Sequence, residues 1–437
     1  MLNENNFSPF KVSLIYFITS VFILSFFFEN YFKYEFEFLR FSIVELIFVV
    51  IFFFTLSTQR FNFIKFMFKF DKNNIFELII YSILIFKIIK YSLNFQIYYN
   101  LYELLIWIYM LSIYFVFKFY LINCRNLIFY ITNSFIAISL IISLHILYSF
   151  LLYKLGYESN GFWMIRDTTY YPYAGTSSIN FKSILGGYNQ VAYLLAPGFL
   201  FLLNKFNNKL IILFLIIFYF IVMYLVKSKF LIIFFGTLVI YLIIKNKFFK
   251  KIKFNKIFLI SALIGLFFFY LLITHFIIID KGIINSSNSD LFKKYYFIDF
   301  VISLSKSEIY GSMFLKLKFT AIEIANSYNF LLFNSPNYFN NEIVINNFDI
   351  YTDPHSDYFG ALANYGILGF LIFLALPIYM ISEYLKNFNL DNLIYFLIII
   401  MIFIESFVVD IFHTQFIWIV FAMYMFSVQV KKDITKK

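Results

Sequence analysis

The stretch from Asp353 to Gly369, Asp-Pro-His-Ser-Asp-Tyr-Phe-Gly-Ala-Leu-Ala-Asn-Tyr-Gly-Ile-Leu-Gly, holds the residues best suited to chemistry. Asp353 suits a helix N-cap and Pro354 the first helical position. The pattern predicts a helix with His355 and Ser356 in its first turn, running apolar to about Ile381. Unpaired backbone N–H groups and the positive end of the helix dipole favour an anion there. The same field disfavours an imidazolium, leaving a neutral His355 able to accept a proton. Gly360, Gly366 and Gly369 interrupt the bulky pattern and would let another helix or a lipid chain approach the backbone closely.

Asp410 and His413 fall in a short turn before the last apolar run. Asp410 could orient His355 or bind an acceptor; capping a helix in a wet turn is the alternative. Glu45, Glu77, Lys87 and Glu103 lie within apolar runs, where ionisable groups are expensive, and are expected to pair internally. There is no Asp-x-Asp pair, no His-Glu-x-x-His and no Gly-rich phosphate loop. Cys124 is the only cysteine, which excludes an intrachain disulfide and a Cys-based metal site. Neither a metal nor another cofactor is expected.

The elements that must position these residues are membrane helices. Of 437 residues, 62% are hydrophobic and only 14% charged, more apolar surface than a soluble domain can hide. The 68 Phe and 36 Tyr are spread over nearly every apolar segment and read as a compositional bias. The expected fold is all-α, a single integral membrane domain over residues 1–437. About twelve runs are long enough to span, near 10–28, 41–57, 75–93, 99–120, 127–153, 184–203, 210–226, 229–244, 257–279, 358–382, 392–409 and 412–430. The first lacks a small-residue cleavage site after it and reads as a retained span. Lys227, Ser228 and Lys229 separate the seventh and eighth, which predicts a tight helical hairpin or one bent element.

The net charge of +11 reads as basic cytoplasmic loops, not as nucleic-acid binding. Arg60 to Lys72, Lys118 with Arg125, Lys205 with Lys209, Lys245 to Lys256 and Lys431 to Lys437 would lie inside, with both termini. The connections near 29–40, 94–98, 154–183, 227–229, 280–357 and 410–412 would lie outside. The outer loop 280–357 is too long for a plain connector. Within it, Lys316 to Ala325 has the pattern of an amphipathic helix lying on the membrane surface.

His355-Ser356, nine residues, then Gly366-Ile367-Leu368-Gly369 resembles the signature of the O-antigen ligase and O-antigen polymerase superfamily, bacterial membrane glycan transferases with a GT-C-like fold. Gly187-Tyr188-Asn189-Gln190 is similar to a segment of that family containing an Asn. Ser228-Lys229 stands where the family has a Ser-Arg pair. The family's loop arginine has no counterpart, since no arginine follows Arg166; of Lys306, Lys316 and Lys318, Lys316 best matches, because Phe319-Thr320-Ala321-Ile322-Glu323 follows it. The resemblance implies His355 as the catalytic proton acceptor, which Asp410, by its place in the turn, could orient. It implies Lys229, Lys316 and Ser228 as diphosphate ligands, and Ser356, Asn189, Gly366 and Gly369 in substrate or structural roles; Arg166, in the outward connection Met164-Ile165-Arg166-Asp167, could also bind a phosphate or sugar acid. Lysine gives a point charge where arginine gives a fork, so phosphate geometry loosens. For Lys227 and Lys229 the alternative is that they merely snorkel from a helix end.

The implied donor is a glycan on undecaprenyl diphosphate, transferred without metal and with inversion on the periplasmic face of the bacterial inner membrane. Lipid A-core as acceptor makes a ligase; a lipid-linked repeat unit makes a polymerase. The His-Ser-x9-Gly-x-x-Gly form leans to ligase. The rival class is a lipid-linked oligosaccharide flippase, which would not need a long outer loop ending in His355. Such transporters often carry duplicated halves, and no internal repeat is visible here.

Overall fold

The computed structural model describes residues 8–29, 33–36, 39–68, 75–93, 97–124, 126–157, 166–171, 176–181, 188–226, 228, 230–245, 256–272, 321–322, 356–386, 392–408 and 411–435. Among them run α1 (Pro9–Ser25), α2 (Ile43–Met67), α3 (Ile75–Leu93), α4 (Ile97–Asn123), α5 (Leu127–Lys154) and α6 (Tyr188–Lys205). These are followed by α7 (Lys209–Val226), α8 (Phe230–Lys245), α9 (Lys256–Leu272), α10 (Asp357–Lys386), α11 (Leu393–Glu405) and α12 (Gln415–Thr435). Six of them, α1, α2, α4, α5, α7 and α10, contain stretches long and apolar enough to cross a membrane, and shorter apolar stretches make up α8, α11 and parts of α9 and α12. Apolar side chains also face outward: Phe53, Phe214 and Ile378 are 63%, 66% and 63% exposed. Such surface is unfavourable against water and natural against lipid. The chain is a helical, membrane-embedded protein.

Helix starts follow local chemistry. Ser8 caps α1, with Pro9 in its first turn. Ser42 and Glu45 form a reciprocal capping box at α2. The centre is built from α6, α11 and α12. In α11 every residue except Tyr395 is buried, and α6 is buried from Val191 to Leu203. α5 packs along α6 and α1, α12 along α4, α10 along α3, and α11 against α8. A Cβ at Gly198 would lie 2.4 Å from the Phe135 carbonyl oxygen, so glycine permits the close seating of α6 on α5. Ser139 completes that seam: its hydroxyl donates to the Leu195 carbonyl at 3.2 Å and pairs with the Tyr219 hydroxyl of α7 at 2.8 Å.

Side-chain contacts sort the helix ends into two sets. At one end Phe26, just past α1, meets Phe416 of α12, and Gln415 donates to Glu45 of α2 at 2.6 Å. Tyr193 of α6 meets Phe230 of α8, with ring centroids 4.9 Å apart. At the opposite end Tyr241 of α8 donates to Asn204 of α6 at 2.8 Å, and the Lys245 ammonium reaches the Leu203 carbonyl at 3.3 Å. There too Asn392 donates to the Ser427 carbonyl at 3.2 Å.

Several expectations change. Two connections carry β-hairpins: β1 (Lys33–Phe36) with β2 (Leu39–Ser42), and β3 (Arg166–Tyr171) with β4 (Thr176–Phe181). The fold is therefore a helical bundle with small hairpins at connections that read as plain loops. Arg60 to Met67 is helical, not a loop, set off by a break at Gln59 (φ −139°, ψ 25°). Lys118 is not a loop residue either. It is buried in α4 and pairs with Glu77 of α3, whose carboxylate also accepts from the Tyr114 hydroxyl at 2.7 Å. A buried carboxylate this close holds the ammonium inside the bundle. Of the expected amphipathic helix 316–325, only Ala321 and Ile322 are described, both helical.

The Glu77–Lys118 pair yields a test. Lys118→Met strands a buried carboxylate and should destabilise the protein by roughly 3–5 kcal/mol. Adding Glu77→Leu should recover most of that loss, giving a double variant more stable than Lys118→Met alone. Denaturant unfolding in detergent micelles measures both.

Candidate functional site

The start of α10 is fixed by its first described residues. Ser356 is fully buried, and its hydroxyl accepts from the Phe359 N–H at 3.4 Å while its carbonyl accepts from Gly360 at 2.7 Å. Ser356 is thus the N-cap, and the helix opens at Asp357, later than the expected start at Pro354. The expected first-turn place of His355 falls outside the described residues. The Ser356 hydroxyl also donates to the Ser406 carbonyl at 3.0 Å, which ties this cap to the end of α11.

Asp357 reaches across the same seam. Its backbone N–H donates to the Ser406 carbonyl at 3.1 Å. Its Oδ2 accepts from the N–H groups of Ile411 at 2.9 Å and Phe412 at 3.3 Å. The Tyr358 and Phe407 rings pack 4.2 Å apart beside these bonds. Trp418 of α12 in turn donates its indole N–H to the Phe412 carbonyl at 2.7 Å. The start of α10, the connection after α11 and the start of α12 are therefore one hydrogen-bonded unit.

Next to it lies a buried carboxylate that the sequence reading did not single out. Glu405, 1% exposed, accepts from the Tyr193 hydroxyl of α6 at 2.8 Å and from the Tyr270 hydroxyl of α9. An acid closing an apolar run was the available signal. Tyr193 packs on Phe230, the first residue of α8. Ser228 is buried there, and its hydroxyl accepts from the Phe230 N–H at 3.3 Å at the start of α8; the Phe220 ring of α7 meets the Phe235 ring of α8 with centroids 5.1 Å apart.

The structure thus gathers four backbone stretches at one end of the bundle: the starts of α6, α8 and α10, and the connection between α11 and α12. These flank Asn189, Lys229, His355 and Asp410 in the chain. His355, Asp410, Lys229 and Lys316 lie outside the described residues. Arg166 stands in β3 opposite Phe181 and Asn189 in the first turn of α6, as backbone positions. Among the described residues, no group of three or more His, Cys, Asp or Glu comes together.

Two of the three glycines have local structural roles. Gly366 breaks α10 with φ 68° and ψ −168°, a region open essentially to glycine alone. At Gly369, the place of a Cβ is taken by Tyr365 of the same helix, 2.2 Å away, and not by another helix. The break turns Tyr365 onto the following turn. It also presents the Tyr365 ring to the Lys87 ammonium, 5.6 Å from its centroid, with the Trp107 ring 5.3 Å from the same ammonium.

Fold and site together define a helical membrane protein with a polar, cross-bonded cluster at one end of an apolar bundle. The chain matches no family model and no curated protein.

Gly366→Ala should lower stability by about 1–3 kcal/mol, the cost of forcing a side chain into that backbone region. Gly265→Ala in α9, where an added Cβ meets nothing within 4 Å, serves as control and should leave the melting temperature unchanged or slightly raised. Thermal unfolding in detergent compares the two.

Proposed function

We propose that this chain is a membrane glycosyltransferase of the O-antigen ligase type, transferring a glycan from undecaprenyl diphosphate to an acceptor hydroxyl of lipid A-core. The observation that carries the reading is the convergence, at one end of the bundle, of the stretches flanking His355, Asp410, Lys229 and Asn189. In this reading all twelve helices span the bacterial inner membrane, with both termini cytoplasmic. The converging end faces the periplasm, because Lys205 and Lys245 stand at the other end.

The reaction is a single displacement. The acceptor oxygen attacks C1 of the reducing-end sugar as the bond from C1 to the diphosphate oxygen breaks. The electron pair departs with undecaprenyl diphosphate, and the acceptor's proton passes to neutral His355, oriented by Asp410. Lys229, Lys316 and Arg166 neutralise the diphosphate, and attack in line inverts the anomeric carbon. Ser228 and Ser356 hold the helix starts next to Lys229 and His355. Cations take the electrostatic role that a metal has in other transferases. A lipid-linked repeat unit as acceptor would make the same site a polymerase; the His-Ser-x9-Gly-x-x-Gly form favours the ligase.

The test is glycan transfer by purified protein in liposomes, with lipid A-core and lipid-linked acceptors compared. His355→Ala should lower turnover roughly 10²–10⁴-fold with donor binding kept. Lys229→Ala should weaken donor binding and turnover together, and Lys229→Arg should retain both. Excess EDTA should leave the rate unchanged. Full transfer by a folded His355→Ala protein overturns the reading, and translocation of the donor without transfer makes the chain a flippase.

A further inference from the structure

We propose that Asp357 is a positioning residue of this transfer: it locks the start of α10 to the α11–α12 connection. The inference rests on the reading above. A carboxylate in the first turn of a helix ordinarily serves its own helix, capping free N–H groups or answering the dipole. Here Ser356 already caps α10. Asp357 instead spends its Oδ2 on Ile411 and Phe412, N–H groups far away in sequence, while its own N–H donates to the Ser406 carbonyl. The residue is 7% exposed. Bonds running both ways across one seam remove the freedom of either strand to slide or turn against the other.

The consequence lies in the chain. His355 is joined to Ser356, and Asp410 to Ile411, by one peptide bond each. Proton transfer demands that its partners hold a geometry within fractions of an ångström, which needs support from residues that do not touch substrate. Asp357 supplies that support to both strands at once. It acts through other residues and is not itself catalytic.

The experiment uses the full chain in detergent or liposomes and reads two quantities. Amide hydrogen exchange of the segment 406–414 reports the lock, and transfer kinetics report its use. Asp357→Ala should raise exchange at Ile411 and Phe412 about tenfold or more. It should also lower kcat roughly 10–100-fold with the KM for the donor within about threefold. Asp357→Asn keeps an acceptor oxygen at the same place and should retain near-normal exchange and most of kcat. Asp357→Ser, whose oxygen falls short of the turn, replaces the alanine variant if that fails to fold. Unchanged exchange in the alanine or serine variant overturns the lock, whatever the activity. Raised exchange with normal kcat overturns the positioning role. An asparagine variant with normal exchange but alanine-like kcat means that the charge acts on substrate, which overturns it too. A wild-type chain that transfers no glycan, with exchange raised in the variant, overturns the functional reading and the positioning role while leaving the lock standing.

Discussion

The Ser406 carbonyl is the point on which this end of the molecule depends. It lies just past the last turn of α11 and takes two hydrogen bonds, from the Ser356 hydroxyl and the Asp357 N–H. In an apolar bundle an unmet carbonyl is costly, because no water is at hand to satisfy it. A helix that ends inside the protein must therefore find donors on its neighbours. α11 finds them on the chain re-entering as α10. One residue earlier, Glu405 binds the hydroxyls of Tyr193 and Tyr270, which adds α6 and α9. The segment from 273 to 355 thus leaves after a helix and returns before another that both rest on the same short stretch.

Among the described residues, ionisable groups within the bundle are met in several ways. Glu45 caps its own helix and accepts from Gln415. Glu77 pairs with Lys118 and adds a tyrosine hydroxyl. Lys87 lies over the rings of Trp107 and Tyr365. Asp357 binds backbone N–H groups of another connection. Each supplies groups that offset the loss of hydration, which is the condition for keeping an ion inside such a bundle. The Lys118 charge is thus matched by Glu77 inside the bundle and is not part of a basic loop.

The break at Gly366 links these two themes. It lets α10 begin at the polar seam and then continue along α3 in the apolar interior. Without a side chain, Gly366 takes a backbone conformation that turns Tyr365 toward Gly369 and Lys87. The glycines of the motif thus serve the course of the helix carrying it, whatever else that helix binds.

The sequence by itself determined the class and the spacing of the helices. Runs of about twenty apolar residues can be read directly, since the bilayer sets their length and each helix satisfies its own backbone. The start of α2 was legible only in hindsight, as a Ser and a Glu three residues apart. What the sequence withheld was which helices lie at the centre. In a lipid-facing protein both the inward and the outward faces are apolar, so no amphipathic stripe marks the inside. Nothing in the composition of α11 separates it from α7, yet α11 is buried nearly all round and α7 exposes Leu210, Phe214 and Tyr224. The same holds for the seam. The Ser356 bond to Ser406, Asp357 as cross-brace and Glu405 as anchor depend on groups 50 to 212 residues away in the chain, and only the folding of the bundle brings those groups within hydrogen-bond reach.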